Sequence, residues 1–91
     1  MITDNSDEPL LKFPCQFPVK AMGKSGPELE LAILEILGRH VPEITGDAVR
    51  FAASKKGTYT SITVTINAQS KQQLDNIYRD LSACEHVLYA L

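Results

Sequence analysis

From Thr60 to Ala68 the chain alternates without a break. Ile62, Val64, Ile66 and Ala68 take one set of positions, and Ser61, Thr63, Thr65 and Asn67 take the other. Successive side chains of a strand point to opposite faces, so this segment reads as a strand with one face in a core and one toward water. Such a strand is not stable alone. The rest of a 91-residue chain must supply its neighbours in a sheet and a layer to cover its apolar side.

The neighbours are visible on both sides. Phe17, Val19 and Ala21 alternate with Pro18, Lys20 and Met22, the period of a half-buried first strand, which Met22-Gly23-Lys24 then interrupts. Pro14 and Pro18 lack amide donors, so its beginning is expected to be irregular or unpaired on one side. Val49, Phe51 and Ala53 alternate with Arg50, Ala52 and Ser54 as a second strand. Lys55-Lys56-Gly57-Thr58 then forms a turn in which Gly57 supplies a positive backbone angle. His86 to Leu91 reads as a short last strand.

The covering layer comes from two helices. In Ser25-Gly26-Pro27-Glu28, Ser25 is placed to cap a helix, Glu28 to reach back to it, and Pro27 to sit in the first turn. Leu29, Ile33, Ile36, Leu37 and His40 share a stripe, and Pro42 ends the helix. Ser70 with Gln73 makes a second capping box, followed by Leu74, Ile77, Tyr78 and Leu81 on one stripe.

The order strand, helix, strand, strand, helix, strand points to a ferredoxin-like α+β two-layer sandwich. Right-handed crossovers give an antiparallel sheet in the order 4-1-3-2. One face of the sheet packs on the helices. The other carries Lys20, Arg50, Ser61, Thr63, Thr65 and Asn67. Cys15 and Cys84 then fall at opposite ends of antiparallel neighbours, roughly 20 Å apart. A disulfide needs α-carbons within about 7 Å, so both thiols are expected to be free.

Charge is uneven along the chain. Residues 1–11 hold Asp4, Asp7 and Glu8 with no base, and read as an acidic, disordered tail; residues 12–91 hold all 9 Lys and Arg against 8 acids, leaving +1. That body lacks the basic surface of a typical nucleic-acid binder. No apolar run approaches the roughly 20 residues of a membrane span, and the polar, acidic start is no secretory signal. A cytoplasmic protein is the expectation.

A resemblance joins these readings. Phe13-Pro14, Gln16-Phe17-Pro18-Val19-Lys20-Ala21-Met22-Gly23, Ser54-Lys55-Lys56-Gly57-Thr58-Tyr59 and the run Ser61 to Ala68 resemble the YbeD-like family of small bacterial proteins, a domain of unknown function. The resemblance covers about residues 12–91. It implies a ferredoxin-like fold similar to the ACT regulatory domains that sense small metabolites, often amino acids. It implies no established activity, catalytic residue or cofactor. A link to lipoate metabolism has been suggested for the family, but no residue here speaks to it.

Two places are candidate sites. Gly23-Lys24-Ser25, with Gly26 and the helix start behind it, could offer amides to a carboxylate or phosphate, as ACT-like domains bind ligands near the corresponding loop. The plainer reading is that Gly23 ends a strand and Ser25 caps a helix. Lys55, Lys56 and Tyr59, with Arg50 upstream, could grip an acidic partner. The plainer reading there is a solvated hairpin whose lysines shield an edge strand. Lys20, Arg50, Thr63 and Thr65 on the polar sheet face complete the candidate surface.

Other chemistries find little support. In RNA recognition motifs, aromatic rings follow a basic residue and glycine; Lys56-Gly57 matches that opening, but Thr58, Thr60 and Thr63 stand at the stacking positions. His40 lies on an apolar stripe near a helix end, and neither histidine has metal spacing to the cysteines. No phosphate-binding loop, dinucleotide loop or nucleophile elbow occurs. The expectation is a non-catalytic module without cofactor or metal. It would bind a small metabolite or a protein partner through the sheet face and the Gly23 loop, or dock a protein on the basic hairpin, and a homodimer is compatible with either role.

Overall fold

A computed structural model describes residues 12–91. The acidic tail expected over residues 1–11 lies outside the described residues. The elements run β1 (Cys15–Lys24), α1 (Pro27–His40), a 3-10 turn (Gly46–Ala48), β2 (Val49–Ala53), β3 (Tyr59–Ala68), α2 (Lys71–Ala83) and β4 (Tyr89–Ala90). The sheet is antiparallel with order β2-β3-β1-β4, which is the expected 4-1-3-2 order read from the other edge. This is the ferredoxin-like α+β sandwich.

The core lies between the central strands and the two helices. Val19 and Ala21 of β1, and Ile62, Val64, Ile66 and Ala68 of β3, face Leu29, Ile33, Ile36 and Leu37 of α1 and Leu74, Ile77 and Leu81 of α2. Each valine, leucine and isoleucine among them contributes roughly 1.5–3 kcal/mol on burial, and the two alanines less. At the edge of this layer His40 Nε2 donates to Asp80 Oδ2 at 2.7 Å, and Gln73 Nε2 donates to the His40 carbonyl at 2.8 Å. These bonds tie the end of α1 to α2, so His40 works as a part-buried linker between helices.

Local signals hold where nothing tertiary competes with them. The Ser70 Oγ accepts from the Gln73 amide at 3.1 Å and caps α2. The return half of that cap goes one residue further back than expected, since the Gln73 Oε1 accepts from the Gln69 amide at 2.6 Å. The hairpin closes through Ser54 and Tyr59, with Gly57 at φ 74°. Cys15 lies at the start of β1 and Cys84 at the end of α2, both free and part-buried.

Four expectations are corrected. Ser25 does not cap α1; Gly26 occupies that position at φ 149°. The β1–β3 ladder runs on through Lys24 and Tyr59, and it carries the Ser25 amide to the Thr58 carbonyl at 2.9 Å and the Ser25 hydroxyl to Thr60 Oγ1 at 2.6 Å. Strand pairing has taken the groups a cap would use. Gly23, second, does not break the strand: it lies inside β1, buried, opposite Thr60.

Third, Phe51 is not covered. It pairs with Ile62 and so points to the helix side, yet it is 55% exposed, because it stands on the outermost strand of the sheet, at the margin of the helix layer. Fourth, β4 is shorter than expected, with bonds from Leu88 and Leu91 to β1 extending its two regular residues.

Candidate functional site

The register of the sheet fixes what its open face presents. Arg50 stands beside Thr63, and Thr63 beside Lys20, so the three form one row across β2, β3 and β1. With strands about 4.8 Å apart, the two cations start from backbones about 10 Å apart with the threonine between them. Lys20 and Arg50 are exposed and make no ion pair among the described residues. Leu91 closes the row at the β4 edge, exchanging backbone bonds of 3.1 and 2.7 Å with Lys20.

The next row toward the helix-α1 end is less polar: Ala52, Ser61, Met22 and Tyr89. Ser61 is the buried polar residue among them, and Tyr89 is largely exposed. Beyond it Tyr59 pairs with Lys24, close to the Lys55-Lys56 turn. In the opposite direction come Thr65 beside Pro18, then Asn67 beside Gln16. A shallow depression of about 440 Å³ is lined by Lys20, Arg50, Phe51, Ala52, Ser61 and Thr63. A second one, toward the 3-10 turn, brings Arg50, Thr65 and Asn67 near Glu43 and Asp47.

The fold therefore gathers Lys20, Arg50, Thr63 and Thr65 on one surface, and sets Tyr59, Lys55 and Lys56 at its end. It does not gather Gly23, Lys24 and Ser25. Gly23 faces the helices, where a β-carbon would stand 2.1 Å from the His86 carbonyl oxygen and 2.7 Å from Leu29 Cδ1. Lys24 faces the open side, and Ser25 is bonded to Thr58 and Thr60. Gly23 is glycine for want of space.

Residues that sequence reasoning passed over are Phe51 and Tyr89. Alternation groups Phe51 with Val49 and Ala53 and says nothing of what covers it. The signal that places it in the open is the strand order, since two helices cover the middle of a four-stranded sheet better than its edges.

Away from this face, Tyr78 Oη donates to the Leu91 carbonyl at 2.6 Å and holds the β4 end from the helix side. Burial raises the Tyr78 hydroxyl above the ordinary tyrosine value of 10.0. A groove between the helices is lined by exposed Glu35, Arg39, Glu85 and His86, with the part-buried Asp80 and Cys84. Among the described residues no group of three or more His, Cys, Asp and Glu is placed to hold a metal ion, and no helix is long and apolar enough to cross a membrane.

Residues 8–91 match the family described as "Protein of unknown function (DUF493)". The chain belongs to the DUF493 family. DUF493 relatives named UPF0250 protein support this at similar lengths. One from Neisseria gonorrhoeae is 43% identical over 82 residues, 90% of each chain. Another from Shewanella sediminis is 41% identical over 85 residues, 92% of this chain and 93% of the relative. The YbeD-like resemblance agrees with this membership. Among solved structures, the solution structure of protein HP0495 from H. pylori matches with a TM-score of 0.69, covering 96% of this chain and 91% of that one. At 19% identity that match speaks for the fold.

Proposed function

We propose that this DUF493 chain is a non-catalytic binding module of the bacterial cytoplasm, a regulatory or adaptor domain that docks an acidic protein segment on the open face of its sheet. The row Arg50–Thr63–Lys20 carries the reading. It places two cations, unpaired among the described residues, on either side of a hydroxyl donor on a face that the helices leave bare. Exposed cations of this kind steer an acidic partner and set its register more than they bind it tightly.

The depression beside them is shallow and open, which suits a protein surface better than a buried metabolite. Lys24, Tyr59, Lys55 and Lys56 extend the same cationic surface toward the hairpin. The ligand loop implied by resemblance to ACT domains has less to support it, since Gly23 is packed and Ser25 is bonded.

The test is capture from a bacterial lysate by the immobilised chain, beside the variant Lys20→Glu/Arg50→Glu. A retained protein should be lost with the variant and released by rising salt. A protein held equally by both would overturn the assignment of this face. A thermal shift with free amino acids or phosphate esters, absent in the variant, would replace the protein partner by a small anion.

A further inference from the structure

Among the described residues the outer strand β2 has a partner on one side only. The hairpin bond from the Ser54 amide to the Tyr59 carbonyl sets the phase of the β2–β3 ladder: Ser54, Ala52 and Arg50 turn their backbone groups to β3. Val49, Phe51 and Ala53 therefore present their N–H and C=O groups at the free edge. Natural edge strands carry lysine, proline or a bulge to prevent pairing with another chain. Val49–Ala53 has no lysine, proline or bulge. Its one charge, Arg50, lies in register with Thr63 on the open face, away from Phe51, and Lys55 and Lys56 lie beyond the strand in the turn.

Apolar surface flanks the same edge. Phe51 is 55% exposed and Leu31 is 68% exposed. Leu34 and Gly38 of α1 line a cavity with Val49, so that flank of the helix overlooks β2. Leu31, one turn before Leu34 on that flank, lies toward the Phe51 end of the strand. Charge is distributed with a direction. Asp47 precedes β2, Lys55 and Lys56 follow it, and all three belong to exposed stretches.

We propose that β2 pairs with β2 of a second copy of this chain, antiparallel about a two-fold axis at Phe51, joining the two sheets into one. Phe51 meets the partner's Phe51, and Val49 meets the partner's Ala53, closing about six backbone bonds. The two Phe51 rings stack side by side on the helix side, with Leu31 of each copy over them. The two-fold sets the acidic turn before one β2 against the lysine turn after the other, so Asp47 faces the partner's Lys55. A parallel arrangement would set lysine turn against lysine turn, which is why the surface fits a second copy in one orientation. Lys20 and Arg50 lie on the opposite face and stay free, so the row that carries the open-face reading and this interface stand or fall separately, with Lys55 common to the two surfaces.

Sedimentation velocity of the full chain across a dilution series tests it. The expected species is twice the 10.0 kDa chain. Phe51→Lys sets like charges face to face at the axis and should weaken dimerisation at least about 100-fold. Far-UV circular dichroism should be unchanged, since the residue is already exposed.

Asp47→Lys and Lys55→Asp should each weaken the dimer about tenfold, and the two together should restore it. Lys20→Glu/Arg50→Glu should leave it intact. A monomer throughout the series, a dimer indifferent to Phe51→Lys, or a double charge variant no better than the single ones would overturn the proposal. So would a monomer that pairs this edge with a different protein.

Discussion

Replacing Gly23 by alanine adds one methyl group at a place where the fold has no room for it. The new carbon would stand 2.1 Å from the His86 carbonyl oxygen and 2.7 Å from Leu29 Cδ1. Ordinary contact lies near 3.5 Å, so the His86 peptide must retreat by about 1.4 Å. That peptide precedes Val87, which is buried, and Leu88, whose amide donates to the Met22 carbonyl at 2.8 Å. Leu29 is equally confined, at 1% exposure.

Overpacking of this kind costs roughly 1–3 kcal/mol, and more when backbone must move. Alanine recovers about 0.5–1 kcal/mol of the conformational entropy that glycine loses on folding. The net expectation is about 2 kcal/mol of destabilisation, a fall in Tm on the order of 10 °C for a domain of this size. Gly38→Ala is the control with the opposite sign. Gly38 lies in α1 with open space around it, so alanine there should stabilise by about 0.5–1 kcal/mol. Urea unfolding followed by circular dichroism measures both. A Gly23→Ala variant as stable as the parent would refute the packing account and return Gly23 to the role of a ligand-loop glycine.

Two further outcomes follow from the same geometry. Ser70→Ala should cost about 1 kcal/mol in urea unfolding, because its hydroxyl caps α2, while Ser25→Ala should cost about half that or less, because its hydroxyl bond to Thr60 is exposed to solvent. Tyr78 adds a dependence on pH. Its folded-state value is raised by burial, so its contribution is whole below about pH 10 and lost as pH rises through the folded value. Chemical unfolding between about pH 8 and pH 11 should show stability falling at the alkaline end, with a shallower fall in Tyr78→Phe. An equal fall in both would mean that other groups carry it.

Much of the fold was legible because the signals were local and periodic. β3 alternates over its whole length, and its register then places Thr63 and Thr65 on the open face with Lys20 and Arg50. The Ser70 cap lies between elements with no competing partner, so its local preference was realised. The candidate site was legible to the extent that it rests on strand parity. Lys20, Arg50 and Thr63 were assigned to one face by alternation, and register made them a row.

What the chain could not state locally was decided by competition and by cover. Ser25 carries a capping signal, but the β1–β3 ladder reaches it first and binds its amide and hydroxyl. Gly23 reads as a strand breaker, but it is an ordinary extended residue whose missing side chain makes room for the turn carrying His86.

Phe51 has the parity of a core residue and lies uncovered, because the helix layer is narrower than the sheet. Alternation and capping depend on neighbours along the chain, so sequence alone determined the number, order and faces of the strands and helices. Which donor a hydroxyl meets, and which apolar side chain is left in water, depends on residues distant in sequence, and only the packed structure decided them.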